Sequence, residues 1–154
     1  MSDAGAILSP VAGQVISLAD VPDPVFSAQM VGSGVALRPA PDDGAVEVRS
    51  PVAGTILKLH PHAFVVFTEN KAGVLVHIGI DTVKMKGAGF ELFAAEGDRV
   101  EAGDLVVTYD PAAIAAAGYS DVVPVVLMDS KPDSVTSASI DNTVAVGDLL
   151  FELP

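Results

Sequence analysis

The sequence predicts a nearly all-β protein in which two related halves form one β-sandwich or flattened barrel. Fourteen glycines and eleven prolines divide the chain into short stretches rich in Val, Ile and Leu. Ala45-Val46-Glu47-Val48 and Leu105-Val106-Val107-Thr108-Tyr109 have the pattern of short strands between tight turns. Two repeats supply the internal symmetry. Ser9-Pro10-Val11-Ala12-Gly13 recurs 41 residues later as Ser50-Pro51-Val52-Ala53-Gly54, and Gly103-Asp104-Leu105, preceded by Val100, recurs 44 residues later as Gly147-Asp148-Leu149, preceded by Val144. Each Pro-Val-Ala-Gly stretch is expected to enter a strand through a tight turn, and each Gly-Asp pair to turn the chain into an apolar strand. One short helix is expected over Pro111 to Ala117, with Asp110 as N-cap, Pro111 at the first helical position and Gly118 ending it.

At 154 residues the chain is long enough for one domain, 1–154, with a core that needs no disulfide or metal. Half the residues are hydrophobic and the mean hydropathy is +0.50. No apolar run approaches the roughly 18 to 20 residues of a membrane-spanning helix, so a soluble protein without membrane insertion is expected. Met1-Ser2-Asp3-Ala4-Gly5 lacks a basic region followed by an apolar one, the mark of a secretory signal. The absence of cysteine removes disulfides and thiol nucleophiles and suits a cytoplasmic location. A net charge of -12 argues against nucleic acid and anionic membranes, which reward clustered Lys and Arg. A basic protein is the partner this charge favours.

The three histidines are His60, His62 and His77. In Val74-Leu75-Val76-His77-Ile78-Gly79-Ile80, strand alternation turns Val74, Val76, Ile78 and Ile80 one way and Leu75, His77 and Gly79 the other. His62-Ala63-Phe64-Val65-Val66-Phe67 reads as the preceding strand, joined to it by a hairpin. With a two-residue Glu69-Asn70 loop, Thr68 pairs with Lys71 and His62 falls directly opposite His77. Their Cβ atoms would then lie about 4.5 to 5.5 Å apart, within reach of one phosphoryl group or one ion. Glu-Asn is not the favoured Asn-Gly turn, and the alternative is a longer loop or bulge marked by Gly73. Permanent zinc sites usually use three or four protein ligands, and neither cysteine nor a His-Glu-x-x-His pattern is present. Gly32-Ser33-Gly34 is too short for a hydrolase nucleophile elbow, and there is no Walker loop or dinucleotide fingerprint. What remains is a neutral imidazole acting as nucleophile toward phosphorus, with a neighbouring ring donating a hydrogen bond to the phosphoryl oxygens.

These residues also carry a family resemblance. Val21-Pro22-Asp23-Pro24-Val25-Phe26, Gly32-Ser33-Gly34-Val35-Ala36, Pro51-Val52-Ala53-Gly54, His62-Ala63-Phe64, His77-Ile78-Gly79-Ile80-Asp81-Thr82-Val83 and Gly87-Ala88-Gly89-Phe90 together resemble the glucose-type IIA component of the bacterial sugar phosphotransferase system. The likeness runs from about Ile7 to Leu153. It implies an antiparallel β-sandwich of duplicated halves, in agreement with the repeats. It also implies a phosphocarrier that takes phosphate from the phosphohistidine of HPr and delivers it to a cysteine on the IIB domain of a sugar permease. By this resemblance His77 carries the phosphoryl group on Nε2, His62 stabilises it, and no metal or small cofactor is required. The family often has a threonine two residues before the first histidine, where this chain has His60.

For partner contacts, the resemblance points to Asp23 and Asp81 as acidic rim residues that pair with Lys or Arg of HPr. The segment from Val25 and Phe26 to Met30 and Val31, with Leu75, reads either as core or as an exposed docking patch around the histidines. Two other functions compete. Val100-Glu101-Ala102-Gly103-Asp104-Leu105 and Met85-Lys86 resemble the turn and modified lysine of biotinyl or lipoyl carriers, although those domains are about half this size and carry the lysine in an exposed hairpin. A regulatory module binding transporters or metabolic enzymes through the same face is compatible with phosphotransfer, because phosphate on His77 would put negative charge into that interface.

Overall fold

A computed structural model describes residues 5–40 and 44–153 of the chain; residues 1–4, part of the stretch read above for a targeting signal, lie outside it. Among the described residues the strands are β1 (Ala6–Leu8), β2 (Gly13–Ser17), β3 (Gly32–Pro39), β4 (Val46–Arg49), β5 (Gly54–His60), β6 (Ala63–Phe67), β7 (Gly73–His77), β8 (Phe90–Leu92), β9 (Arg99–Val100), β10 (Leu105–Tyr109), β11 (Val123–Met128), β12 (Thr143–Val144) and β13 (Leu149–Glu152). They pair antiparallel throughout. One eight-stranded sheet has the order β12-β2-β3-β11-β7-β6-β5-β9, and two small sheets, β4-β10-β8 and β1-β13, complete an antiparallel β-sandwich. The helices are short: α1 (Pro24–Ser27), α2 (Pro111–Ala116) and two 3-10 turns at Leu18–Asp20 and Thr82–Met85. In α2 the Asp110 side chain accepts a hydrogen bond from Ala112 N and Gly118 follows with φ +81°, so the expected cap and stop act within one residue of their predicted places.

The repeats interlock in matching ways. Ser9 Oγ donates to Val11 O at 2.6 Å and Ser50 Oγ to Val52 O at 2.7 Å. Asp148 Oδ2 accepts from Ala145 N, and Asp104 Oδ2 from Glu101 N. Gly147 N donates to Ser9 O and Gly103 N to Ser50 O, both at 2.9 Å, while Ser9 N donates to Asp148 O and Ser50 N to Asp104 O. Each Ser-Pro-Val-Ala-Gly stretch is therefore sewn to one Gly-Asp turn, which satisfies the backbone of both without regular ladder pairing. The glycine ending each stretch then begins β2 or β5 and lets the next strand approach. A Cβ on Gly13 would sit 2.2 Å from Arg38 O, and one on Gly54 2.4 Å from Phe67 O.

The large sheet has two apolar faces. Val15, Leu37, Ile56, Phe64, Val66, Val74, Val76 and Val125 pack against Ile7, Val48, Val107, Leu150 and Phe151 of the small sheets, forming the main core. A second cluster of Ile16, Leu18, Val21, Phe26, Ala36, Ile80, Val122 and Val126, with Val31 and Leu75 packed on it, covers another part of the structure. Alternation along β7 therefore separates Val74 and Val76 from Leu75 and His77 as expected. Ile80 departs from that expectation by joining Leu75's cluster. The strand ends at His77, and Gly79, at φ +79°, turns the chain before Ile80 is reached.

Because the two glycines occupy equivalent close approaches to backbone, Gly13→Ala and Gly54→Ala should destabilise the fold by similar amounts, about 1 to 3 kcal/mol each. Gly103→Ala, at φ +94° with open space around it, carries the strain of the left-handed φ, about 1 to 2 kcal/mol, but no clash, and should lose less than either. Urea unfolding of the three variants measures this; equal losses at Gly103 and Gly54 would contradict the close-approach argument.

Candidate active site

His77 ends β7 and the chain turns sharply just beyond it. A Cβ on Gly79 would meet Thr82 Cγ2 at 2.5 Å and Ser120 O at 2.9 Å, so the turn needs glycine for both its left-handed φ and its space. Thr82 Oγ1 donates to Ile78 O at 2.6 Å, and Gly79 N and Ile80 N donate to Val122 O and Ser120 O. Held in this way, the Gly79 carbonyl turns back to His77 Nδ1 at 2.6 Å. A carbonyl can only accept, so Nδ1 carries the proton and Nε2 presents its lone pair.

His62 arrives by a route other than the expected one. The β6–β7 connection is a three-residue loop, Glu69 to Lys71, closed by Thr68 N to Ala72 O and Lys71 N to Thr68 O, with Lys71 at φ +63°. The extra loop residue, a common hairpin alternative to the two-residue turn, moves the register by one, so Ala63, not His62, pairs with His77. His62 instead follows Pro61 in the tight β5–β6 turn, where His60 pairs with Ala63. There strand alternation no longer dictates its direction, and its ring meets His77 edge to face with centroids 5.3 Å apart. Ala63, small and buried, leaves room beneath. His60 is exposed but stacks on His62, with centroids 5.8 Å apart and planes 23° from parallel.

Electrostatics keep both site imidazoles neutral at neutral pH. Burial, then the neighbouring His77 and His60 rings, bring the His62 pKa from 6.5 down to about 4. Burial also lowers His77, outweighing the Gly79 hydrogen bond and the charges of Asp23 and Asp81, which pull upward. Asp23 caps α1, its Oδ1 accepting from Val25 N at 2.8 Å. Asp81, at φ +64°, is exposed just beyond Gly79. Both carboxylates thus lie within electrostatic reach of His77.

The segment with two sequence readings divides between them. Met30 is 72% exposed and Val25 42%, whereas Phe26 is 6% exposed and lies against the His77 ring, centroids 5.1 Å apart. Val31 and Leu75 are partly buried on the second apolar cluster. Val83, the last residue of the histidine motif, is 55% exposed on the turn after Asp81; its place in the motif was visible in the sequence, but its exposure was not. Gly34 serves close packing, since a Cβ there would meet Val125 O at 2.1 Å. Lys86 is exposed but ends a 3-10 turn at φ +55°, unlike the hairpin lysine of a swinging-arm carrier. Among the described residues, no cluster of three or more His, Cys, Asp or Glu is arranged to hold a metal.

Comparison with known proteins places the chain in a family. Residues 5–132 match the family described as phosphoenolpyruvate-dependent sugar phosphotransferase system, EIIA 1. A glucose-specific EIIA component of the phosphotransferase system from Oceanobacillus iheyensis is 40% identical over 131 residues, covering 84% of this chain and 76% of that one. A glucose-specific EIICBA component from Streptococcus pneumoniae is 44% identical over 133 residues, which are 85% of this chain but only 18% of that longer protein. The solved structure of glucose permease IIA from Mycoplasma capricolum superposes with a TM-score of 0.86 at 32% identity, covering 97% of this chain and 95% of that one. The chain belongs to the EIIA 1 family of the phosphoenolpyruvate-dependent sugar phosphotransferase system and is a phosphoryl carrier of that system.

Proposed function

We propose that His77 is the residue phosphorylated, that HPr phosphohistidine is the donor and that a IIB-domain cysteine is the acceptor. The observation that carries the assignment is the 2.6 Å contact between His77 Nδ1 and Gly79 O, which leaves Nε2 as the free nucleophile. Its lone pair attacks phosphorus while the donor's N–P bond breaks and the donor imidazole departs. For the onward step the cysteine thiolate attacks phosphorus, the Nε2–P bond breaks, and His77 returns to its neutral, Nδ1-protonated form. His62 stabilises the phosphoryl oxygens as they leave His77 for the cysteine. Bringing a phosphoryl dianion beside it favours its protonated form, so a ring held neutral in the resting protein becomes a stronger donor when the charge arrives.

The same face receives both partners. Exposed Val25 and Met30 supply apolar contact, with Val31 and Leu75 partly accessible beside them. Phe26 acts from beneath, fixing the His77 ring. Asp23 and Asp81 supply acidic rim charge that complements a basic partner. A IIB partner is supported by the Streptococcus relative, named as an EIICBA component, in which the matching piece is part of a longer chain. Among the described residues no helix is long and apolar enough to cross a membrane, which fits work on the cytoplasmic side of a permease. Regulatory binding of transporters or enzymes by this face would respond to the charge gained on phosphorylation.

Single-turnover phosphate transfer with labelled phosphoenolpyruvate, enzyme I and HPr tests the roles of the histidines. The unmodified protein should acquire an acid-labile, alkali-stable label, and His77→Gln should acquire none. His62→Gln should still be labelled but release phosphate to IIB roughly 10²- to 10³-fold more slowly, the cost of one lost transition-state donor. His60→Ala should slow release less than His62→Gln does. Label on His62, or full acceptance by His77→Gln, would contradict the assignment.

The rim charges make a separate prediction. Asp23→Lys and Asp81→Lys should mainly slow association with HPr, and the deficit should shrink as salt screens it beyond a Debye length of about 10 Å at 0.1 M. Stopped-flow association across a salt series measures this; rates for both variants that equal the unmodified protein's at every salt concentration would remove the rim from the docking surface.

A further inference from the structure

The segment that walls His77 is tied to a loop about 100 residues away in sequence. Asp129 N donates to Val31 O. Ser33 N donates to Ser130 Oγ, which in turn donates to Leu127 O. Val135 N donates to Ser33 Oγ. Beyond these, Gln29 and Asp133 form a reciprocal pair: Gln29 Nε2 donates to Asp133 Oδ1 at 2.9 Å, and Asp133 N donates to Gln29 Oε1 at 2.7 Å. Both residues hold left-handed backbone, φ +57° and +61°, a conformation that side-chain-bearing residues adopt only when their surroundings maintain it. Gln29 immediately follows the cap of α1, donating its N–H to Phe26 O, while Met30 N donates to Val25 O. The pair therefore grips the free end of the one-turn helix that carries Asp23, Val25 and Phe26.

We propose that Gln29 and Asp133 are positioning residues, a latch that holds the α1 segment so that Phe26 closes on the His77 ring and the docking side chains keep their places. A helix of one turn has almost no stability of its own, so its placement depends on such tertiary ties. The inference rests on His77 being the phosphoryl acceptor. The charged and titratable groups around that ring are His62 from the β5–β6 turn, Asp23 from the cap of α1 and Asp81 from the turn after Gly79. None belongs to the latch, so loosening it acts on His77 through Phe26 and Asp23.

The test is the rate of phosphate acceptance from phospho-HPr as a function of pH. In Gln29→Glu the Nε2 donor is lost and two carboxylates face each other. Acceptance should fall roughly tenfold, the lower end of what one hydrogen bond to a charged group supplies, and the midpoint of the acid limb should rise toward 6.5 as Phe26 withdraws. The double variant Gln29→Glu/Asp133→Asn restores a donor facing an acceptor and should recover both rate and midpoint. Asp133→Ala, which removes one acceptor and leaves its backbone N–H, should show the Gln29→Glu effect in weaker form. A Gln29→Glu protein that differs only in melting temperature, or a double variant that recovers neither quantity, would overturn the latch. No acceptance by the unmodified protein would instead overturn the acceptor reading on which the latch rests.

Discussion

The hydrogen bond from His77 Nδ1 to Gly79 O decides what the site can do, and much of the surrounding structure serves to hold that carbonyl in place. An imidazole in solution exchanges between two neutral tautomers and a cation, and only one of these combines a protonated Nδ1 with a bare Nε2. The carbonyl selects it. Gly79 can direct its carbonyl back along the strand because it has the left-handed φ and lacks the Cβ that Thr82 and Ser120 would obstruct. Thr82 Oγ1 and the backbone of Ser120 and Val122 then pin the turn. Phe26 and His62 both lie against the ring, and burial keeps it below its ordinary pKa despite two nearby carboxylates.

The duplicated frame explains why such a site can be placed so closely on strands. Matching Ser-Pro-Val-Ala-Gly stretches lock onto matching Gly-Asp turns, and β2–β3 and β5–β6 are corresponding antiparallel pairs. Only the copy leading through β5, β6 and β7 carries the two site histidines. The other copy leads through β2 into the 3-10 turn at Leu18–Asp20 and α1, which bring Phe26 and Asp23 to the same ring. One half thus supplies the proposed nucleophile, His77, with His62 beside it, and the other supplies Phe26 and Asp23.

How much of this was legible in the sequence depended on whether local rules governed it. The strand at Leu105–Tyr109 and the helix capped by Asp110 follow from propensity and capping, and both formed as expected. The repeats indicated duplication because identical turn chemistry was visible in both copies. The histidine pair was legible as a pair but not in its geometry, because register depends on loop length. The Glu-Asn pair and Gly73 allowed a longer loop but did not choose it; Lys71 takes a left-handed conformation that its residue type does not announce, and that single added loop residue puts Ala63 in the predicted place of His62. The path of Ile80 was misread for a similar reason, since alternation was extended past the turn at Gly79. The division between buried Phe26 and exposed Met30, and the meeting of Gln29 with Asp133 across 104 residues, depend on tertiary packing that no local pattern encodes.

The tautomer of His77 is the property on which the account turns, and nitrogen-15 NMR of the imidazole ring observes it directly. From about pH 8 to about pH 5, the range in which imidazole protonation is readable, Nδ1 should be protonated throughout and Nε2 should be bare at neutral pH. Because the folded pKa is lowered, Nε2 should take up its proton with a midpoint below the ordinary imidazole value of 6.5, with the neutral ring dominant above that lowered midpoint and lost below it. Phosphorylation should then move the Nε2 resonance while Nδ1 keeps its proton. A dominant Nε2-protonated tautomer, or a His77 midpoint at or above 6.5, would contradict the account.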